Sequence, residues 1–307
     1  MIFQHIYLYL VDQLTGTYTG RILAQFFTLV RVIGPYFLIS VVLNAVLRTI
    51  LMKRKWTINT RNKTLGIFIG GLAGLISPLP TYVAVPMGLS LMSTGLPFSA
   101  VVAFMVASPL LNPGVFYLTL TQLGIGMALA RLISAYCLAL GAGFLSRFVK
   151  KWIQKPKDSI SHDAKHDYPH RSFWIELAGS FRFLGKYFVM AVFIGACVKV
   201  LVPEELINKI LGGSASTSLA AAVALGVPFY SCGGAAIPLV QVLGQMGMNP
   251  GAALAFFIAG PSTKLETMYA YRSLMGTRSL IYFLVFTLLG SFAFGSAYYK
   301  LSGLFIH

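Results

Sequence analysis

The chain has 307 residues, of which 57% are hydrophobic and only 10% charged, and its mean hydropathy is +0.76. Soluble domains carry about a quarter of their residues as charges, so this composition excludes an ordinary soluble protein and indicates a membrane protein. The net charge of +16 does not indicate a nucleic-acid partner, because more than half of the basic residues lie in two loops, at 48–63 and 147–171. Cytoplasmic loops show this bias, which favours contact with anionic lipid headgroups. We therefore expect the lipid bilayer as a partner, and no nucleic acid.

The first element along the chain is a short helix at 4–14, which we expect to lie at the membrane interface within an N-terminal segment, residues 1–20. It contains Asp12 and lacks the basic start and small-residue cleavage site of a secretory signal. Crossing a bilayer takes roughly 20 mostly apolar helical residues. Four later stretches have that length, namely 23–46, 125–148, 181–202 and 280–299. Two more apolar regions, 65–123 and 219–275, are interrupted repeatedly by Gly and Pro.

These interrupted regions contain an internal repeat. Residues 86–109 and 238–261 align without a gap at an offset of 152. The identical pairs are Pro86/Pro238, Leu91/Leu243, Gly95/Gly247, Ala100/Ala252, Ala103/Ala255, Phe104/Phe256, Ala107/Ala259 and Pro109/Pro261. The repeat predicts two transmembrane halves, residues 21–148 and 173–307, joined by a charged linker at 149–172.

The loops after the first long helix of each half differ in charge. The loop at 52–63 is strongly basic, whereas its counterpart at 203–217 carries Glu204, Glu205 and Lys209. Because basic loops stay in the cytoplasm, the first loop and the central linker are expected inside and the second loop outside. The sequence thus predicts an all-α, multi-pass protein of the cytoplasmic membrane, with two inverted structural repeats and discontinuous or re-entrant helices at its centre. A parallel repeat is the alternative.

Prolines interrupt the centre of both halves at matching positions. The residues at these breaks include Pro80, Thr81, Ser108 and Pro109 in half one, and Ser231, Cys232, Gly233, Gly234, Pro261 and Thr263 in half two. A proline inside a helix costs roughly 3 kcal/mol, and in lipid the freed backbone groups are satisfied only inside protein or beside a water-lined cavity. We expect the breaks to line a substrate pathway, with Ser108, Ser262 and Thr263 capping half-helix N-termini. The alternative is that they kink the helices for packing.

The run Ser231-Cys232-Gly233-Gly234-Ala235-Ala236-Ile237-Pro238, followed by Asn249-Pro250-Gly251-Ala252-Ala253-Leu254-Ala255-Phe256 and Ala259-Gly260-Pro261, resembles the predicted permease family that includes organoarsenical efflux permeases. The resemblance covers nearly the whole chain. It implies export of methylated trivalent arsenicals or soft metal ions, with Cys232 matching the last cysteine of a Cys-Ser-Cys signature. Here the first cysteine position is Tyr230, and Pro80 stands opposite Cys232 in half one. This motif therefore supplies no second thiolate.

Two ionisable residues, Lys264 and Glu266, follow Pro261 in an otherwise apolar region. Charged groups inside a membrane are costly and indicate function by default; the alternative is that this stretch reaches the interface, where Lys264 snorkels. Asn112 is the counterpart of Lys264 and is expected to hydrogen-bond the substrate from the other half. Cys232 is a soft ligand for a thiophilic substrate, with a small buried hydrophobe as the alternative.

The sequence contains no catalytic or nucleotide-binding motif. The histidines at 162, 166 and 170 lie in the charged linker, which we expect to be solvated, so we predict neither a metal ion nor a cofactor. We predict a secondary permease rather than an enzyme, exporting a small thiophilic or anionic solute by alternating access between the halves. Organoarsenical and metal species, and hence arsenical resistance, are candidates, and a homo-oligomer is an open option. A non-transporting sensor or assembly module and a channel are the alternatives.

Overall fold

The computed structural model describes residues 17–53, 62–77, 92, 96–148, 173–213, 215–226 and 236–305. Within these ranges the chain is helical and contains no strand, which confirms an all-α membrane protein. The predicted interfacial helix at 4–14 and the linker at 149–172 lie outside the described residues.

The described part of the first half contains four helices. They are α1 (Tyr18–Lys53), α2 (Lys63–Ile76), α3 (Phe98–Leu110) and α4 (Pro113–Phe148). Gly124 interrupts α4 with φ 83° and ψ 171°, so the helix consists of two parts, α4a at 113–123 and α4b at 125–148. Only glycine adopts this conformation readily, because any β-carbon would be strained there. The long apolar stretches predicted at 23–46 and 125–148 lie in α1 and α4b.

The equivalents of these helices occur in the same order in the second half. Its helices are α5 (Phe173–Leu201), α6 (Glu204–Ile207), α7 (Ala215–Gly226), α8 (Ile237–Gln245), α9 (Pro250–Ser262), α10 (Leu265–Met275) and α11 (Thr277–Phe305). The predicted loop at 203–217 is largely helical instead, since α6 continues into a π-helical turn, Asn208–Gly212, before α7 begins. Gly276 separates α10 from α11 with φ 84° and ψ 166°. Its backbone conformation matches that of Gly124, 152 residues earlier.

Close helix contacts also recur at the repeat offset. A β-carbon on Gly74 of α2 would lie 2.6 Å from the Phe104 carbonyl oxygen and 2.7 Å from the Ala107 methyl group of α3. A β-carbon on Gly226 of α7 would lie 3.5 Å from each of the equivalent atoms of Phe256 and Ala259 in α9. The short helix and the broken helix of each half therefore meet through equivalent residues, with a closer approach in the first half. The sequence comparison did not identify this pair of glycines.

A second glycine pair joins the broken helix to the long helix that follows it. A β-carbon on Gly143 of α4b would lie 2.9 Å from the carbonyl oxygen of Ser99, at the start of α3. At Gly295 of α11 the same distance, 2.9 Å, separates the β-carbon position from the carbonyl oxygen of Gly251, at the start of α9. Small residues allow helix backbones to approach closely where no hydrophobic force drives helices together.

Two consecutive short helices form one broken crossing in each half. With 13 residues, α3 is about 20 Å long, which is less than the roughly 30 Å of a bilayer core. The segment from α3 through α4a lies beside α4b and antiparallel to it, because Ser99 meets Gly143 and Thr119 meets Arg131. Together α3 and α4a thus match the length of one full crossing, and the break at Leu111 and Asn112 lies near its middle.

Helices in equivalent positions pack against each other across the two halves. In α1 and α5, Phe37 stacks on Phe188 with ring centroids 4.1 Å apart, and Phe26 lies 6.4 Å from Phe193. The partner number falls as the residue number rises, so the two helices run antiparallel. Phe37 and Phe188 are themselves repeat equivalents at an offset of 151.

The same relation holds between α4b and α11. The Tyr282 hydroxyl donates to the Ala142 carbonyl oxygen at 3.0 Å, and the Tyr298 hydroxyl lies 3.3 Å from the β-carbon position of Gly126. Between these ends, the side chain of Leu138 contacts Gly290, its own equivalent at an offset of 152. These helices are also antiparallel, and they too meet at equivalent residues.

The prolines at 109 and 261 do not break their helices where the sequence predicted. Pro109 lies inside α3 and Pro261 inside α9, each close to the helix end. A proline lacks one donor, but its φ is compatible with a helix, and the chain leaves the helix only at Leu111, with φ −153°, and at Thr263. Likewise, Pro238 lies in the first turn of α8, where the missing N–H costs nothing.

Candidate functional site

The two breaks are the central feature of the candidate site. Helix α3 ends at Leu110 and α4 begins at Pro113, while α9 ends at Ser262 and α10 begins at Leu265. The helices leading into the breaks form the interior, since almost all of α3 and every residue from Gly251 to Ser262 of α9 are buried. A helix that is apolar on every face belongs in such a core. The breaks therefore lie next to the most buried part of the described structure.

Asn112 caps the half-helix that follows the first break. Its side-chain oxygen accepts a hydrogen bond from the backbone N–H of Val115 at 2.9 Å, and the residue is half-buried. This bond satisfies one of the N–H groups that the first turn leaves unpaired. The sequence predicted that Asn112 would hydrogen-bond a substrate, and the structure gives its side-chain oxygen this helix-capping bond.

Asn249 has a similar role at the start of α9, which the sequence analysis did not recognise. Its side-chain oxygen accepts from the Ala252 N–H at 2.7 Å, and its amide donates to the Ser218 hydroxyl of α7 at 2.6 Å. The signal was present in the sequence, because Asn before Pro at the start of a helical run is typical of an N-cap.

The capping roles predicted for three hydroxyl residues are wrong. Ser262 donates to the Ile258 carbonyl oxygen at 2.8 Å, and Thr263 donates to the Ala259 carbonyl oxygen at 3.0 Å. Both hydroxyls thus bond back to the helix that precedes them, as Ser and Thr commonly do. Ser108 lies inside α3, and its buried hydroxyl has no hydrogen-bond partner among the described atoms.

Lys264 stands at the N-cap of α10, and its side chain makes no capping bond. The residue is only 7% exposed, so it does not lie at an open interface as the snorkelling alternative required. Glu266 lies in the first turn of α10, and its side chain is outside the described part of the structure. The positive end of the helix dipole stabilises a carboxylate in the first turn of a helix but not a lysine.

The remaining predicted site residues lie outside the described ranges. They are Pro80, Thr81, Ser231, Cys232, Gly233 and Gly234. The structure does describe the helices that precede these two segments, α2 and α7. Helix α2 ends at Ile76 and is followed by buried Ser77, and α7 ends at Gly226, whose β-carbon position is 3.4 Å from the backbone nitrogen of Gly260. The ends of α2 and α7 therefore lie close to the helices that lead into the breaks. The two other cysteines differ in exposure: Cys137 is exposed and Cys197 is half-buried.

Arg131 of α4b is a buried cation that the sequence analysis missed. It is 3% exposed, and its Nη1 donates to the Thr119 hydroxyl of α4a at 2.6 Å. Its Cζ lies 4.0 Å from the ring centroid of Phe257 in α9, a cation–π distance. The contact joins the two halves. The signal was available, because Arg131 is the sole charged residue between Lys63 and Arg147.

Comparison with known proteins identifies relatives over most of the chain. A family model described as a predicted permease matches residues 19–299. A putative two-component membrane permease complex subunit of Streptococcus mutans is 23% identical over 273 residues, which cover 85% of this chain and 89% of the relative. UPF0718 protein YcgR of Bacillus subtilis is 26% identical over 207 residues, covering 64% and 68%, and UPF0718 protein YraQ of Escherichia coli is 23% identical over 257 residues, covering 79% and 70%. No solved structure matches the chain.

Proposed function

The chain belongs to the predicted permease family, and from that premise we propose a secondary permease that exports a small thiophilic or anionic solute by alternating access between two inverted halves. Membership of the family and the apolar helices make the chain a membrane permease. The solute, the direction of transport and the mechanism are the proposal.

The matched breaks are the observation that carries this proposal. A break near the middle of a crossing exposes backbone groups that lipid cannot satisfy, so it survives only inside protein or beside a water-filled cavity. Transporters use such discontinuous helices to bind substrate near the bilayer midplane. Asn112 and Lys264 stand at the two breaks, one in each half. Thr263 and Glu266 lie beside Lys264.

Inversion of the halves is supported by the direction in which equivalent helices pack. Two helices related by a rotation axis in the membrane plane cross the bilayer in opposite directions, whereas a parallel repeat keeps them in the same direction. The pairs α1/α5 and α4b/α11 are both antiparallel, and each meets at equivalent residues, Phe37 with Phe188 and Leu138 with Gly290. A pseudo-twofold axis in the membrane plane accounts for both contacts.

We further propose that the protein lies in the cytoplasmic membrane. The basic linker, residues 149–172, would then be on the cytoplasmic side. A two-component arrangement, as in the name of the Streptococcus relative, or a homo-oligomer would add a partner subunit. Light scattering of the purified detergent complex distinguishes a single chain from a homo-oligomer, and mass spectrometry of the same sample reveals a second component.

Transport by the purified chain in proteoliposomes tests the function. We expect a saturable flux for at least one member of a panel of oxyanions, thiols, soft metal ions and arsenicals. A flux that does not saturate would indicate a channel, and no flux for any probe would refute the permease proposal. Replacing Lys264 by Gln should lower the rate; a sensor or assembly module would instead tolerate that change and depend on the linker.

Labelling of Cys232 tests whether the pathway reaches the second-half motif. A variant with Cys137 and Cys197 replaced by Ser leaves Cys232 as the sole thiol, and we expect a membrane-impermeant thiol reagent to modify it with or without a transported solute. A matched variant that retains only half-buried Cys197 is the control. Protection of Cys232 in both conditions would exclude it from the pathway.

A further inference from the structure

The hydroxyl group of Ser108 is buried beside the first break. The residue is 2% exposed, and its Oγ has no hydrogen-bond partner among the described atoms. Hydroxyls in helices commonly bond back to a carbonyl oxygen one turn earlier, as those of Ser146 and Ser262 do. Among the described side chains, Gln241 and Tyr271 also have a buried oxygen without a partner, but neither belongs to the last turn of a helix that leads into a break. A buried hydroxyl left unpaired costs free energy and indicates a water molecule or an ion at that place.

The residue that follows Ser108 leaves a carbonyl oxygen without its usual donor. Pro109 lies inside α3 and has no N–H group, so it cannot donate to the carbonyl oxygen of Met105, four residues earlier. The Ser108 hydroxyl does not bond to that oxygen either. The last turn of α3 therefore offers two neighbouring oxygen atoms to a ligand.

The end of α2 adds carbonyl groups at the same place. Equal steps of four residues join Gly70 to Ala100 and Gly74 to Phe104, so α2 and α3 run in the same direction. Helix α2 ends two residues after Gly74, whose β-carbon position lies 2.7 Å from the methyl group of Ala107. A helix end of this polarity carries unpaired carbonyl oxygens and a partial negative charge. Two such ends therefore lie side by side at the first break.

This place lies near the middle of the membrane-spanning structure. Helix α3 runs antiparallel to α4b, and Gly143 of α4b meets both Ser99 and Ala103. At about 1.5 Å per residue, Ser108 is therefore level with Leu138 to within about one turn, and Leu138 is where the two halves meet at equivalent residues. Secondary transporters bind coupling ions at this depth through backbone carbonyls and the C-terminal ends of half-helices.

The composition of the first half selects the class of ligand. Between Asp12 and Asp158 the chain contains no Asp, Glu or His, and the thiol of this half, Cys137, is exposed. Divalent hard cations are bound largely by carboxylates, soft metal ions by thiolate or imidazole, and a carried proton requires a group that titrates near neutral pH. Neutral oxygens at the negative ends of two helix dipoles instead suit a monovalent hard cation.

We propose that the first break binds one alkali metal cation, Na⁺ or K⁺, between the Ser108 hydroxyl oxygen and the carbonyl oxygens at the ends of α2 and α3. The role of this cation rests on the proposed permease function: it is the coupling ion, and its gradient across the membrane supplies the energy for transport. The equivalent position in the second half is Gly260, which has no side-chain oxygen. We therefore expect one such cation per chain.

Binding of cations to the purified chain in detergent tests the site without any solute. The probes are radioactive Na⁺ and Rb⁺, the latter in place of K⁺, with choline chloride keeping the ionic strength constant. We expect saturable binding of one ion per chain for at least one probe. Ser108→Ala should weaken this binding by about tenfold or more, because an interaction with a charged ligand is lost. Ser146→Ala is the matched control at a buried serine and should stay within about twofold of wild type, since its hydroxyl already bonds to the Gly143 carbonyl oxygen.

Thermal unfolding distinguishes a ligand-binding role of Ser108 from a structural one. Ser108→Ala removes an unpaired buried hydroxyl, so without alkali cations the variant should unfold at the wild-type temperature or above it. The bound cation should raise the unfolding temperature of wild type but not that of Ser108→Ala. Ser146→Ala should behave in the opposite way, with a lower unfolding temperature and an intact response to the cation.

Two results would overturn the site. One is the absence of saturable binding by wild type, as expected if the Ser108 hydroxyl holds only a water molecule, and the other is binding that Ser108→Ala leaves unchanged. In proteoliposomes, a gradient of the bound cation should accelerate solute transport, and this acceleration should be lost in Ser108→Ala. Equal rates with and without the gradient would overturn the coupling role. Cation binding by a chain that transports no solute would leave the site intact and refute the permease function instead.

Discussion

The two helix breaks have equivalent positions in the backbone but different chemistry. In the first, Asn112 caps the following helix through its side chain. In the second, Lys264 holds the equivalent position, makes no capping bond and is buried. The helices on either side of the breaks begin and end at equivalent positions, and each short helix after a break ends at a glycine with positive φ, Gly124 or Gly276.

This difference separates residues that the architecture needs from residues that are candidates for a role in transport. Glycines at helix contacts and at sharp turns recur in both halves because backbone geometry demands them. The polar residues, Asn112, Arg131 and Lys264, do not recur. Side chains that one half replaces by apolar or uncharged groups are the candidates for function.

The largest effect is expected at the contact between α2 and α3. Gly74→Ala places a methyl group 2.6 Å from the Phe104 carbonyl oxygen, a backbone atom that cannot move aside independently. Such overpacking should lower the free energy of unfolding by roughly 3 kcal/mol. Thermal unfolding of the purified protein measures the effect.

Gly226→Ala provides the matched control in the other half. Its methyl group would meet neighbours at 3.4–3.5 Å, which is ordinary contact, so its unfolding temperature should stay close to that of wild type. If both variants lowered the free energy of unfolding by the same amount, the two halves would be packed equally closely at this contact.

The two glycine turns should respond equally to substitution. Gly124→Ala and Gly276→Ala each force a β-carbon into a conformation with φ near +84° and ψ near 170°, which costs of order 1–3 kcal/mol. A β-carbon at Gly124 would meet no atom within 4 Å, so the loss there reports backbone strain alone. Similar decreases in unfolding temperature would support equivalent turns, and an unaffected Gly276→Ala would refute the equivalence.

Removing the cap at the first break should have a smaller effect. Asn112→Ala loses the bond to the Val115 N–H and should lower the free energy of unfolding by about 1 kcal/mol. Asn112→Ser keeps an acceptor in this position and should recover most of that loss. If the Ser and Ala variants unfold at the same temperature, the cap is not what stabilises α4a.

The smallest effect is expected for a single hydrogen bond between the halves. Tyr282→Phe removes the bond to the Ala142 carbonyl oxygen and should cost about 0.5–1.5 kcal/mol. Tyr269→Phe is the control, because Tyr269 is 75% exposed, and its unfolding temperature should not change. A Tyr282→Phe protein as stable as wild type would show that this bond contributes nothing to joining α4b and α11.

Much of the architecture could be predicted from the sequence, because its signals are local or periodic. Apolar length predicted the long helices that contain residues 23–46 and 280–299, and the repeated Pro and Gly positions predicted broken helices at the right places to within a few residues. The predicted caps failed for a physical reason: a hydroxyl near a helix junction can bond forward or backward, and Ser262 and Thr263 bond backward. Sequence spacing does not distinguish those two choices.

By itself, then, the sequence determined that this is an α-helical membrane protein of the predicted permease family, and its internal repeat predicted two related halves with helices interrupted near the middle. These properties follow from the cost of exposing polar backbone to lipid, which acts on each segment separately. The tertiary structure alone decided that equivalent helices meet antiparallel at Phe37 with Phe188 and at Leu138 with Gly290. It also decided that Arg131 is buried between the halves against Phe257. Such contacts join residues more than 100 positions apart, and they depend on how complete helices pack together.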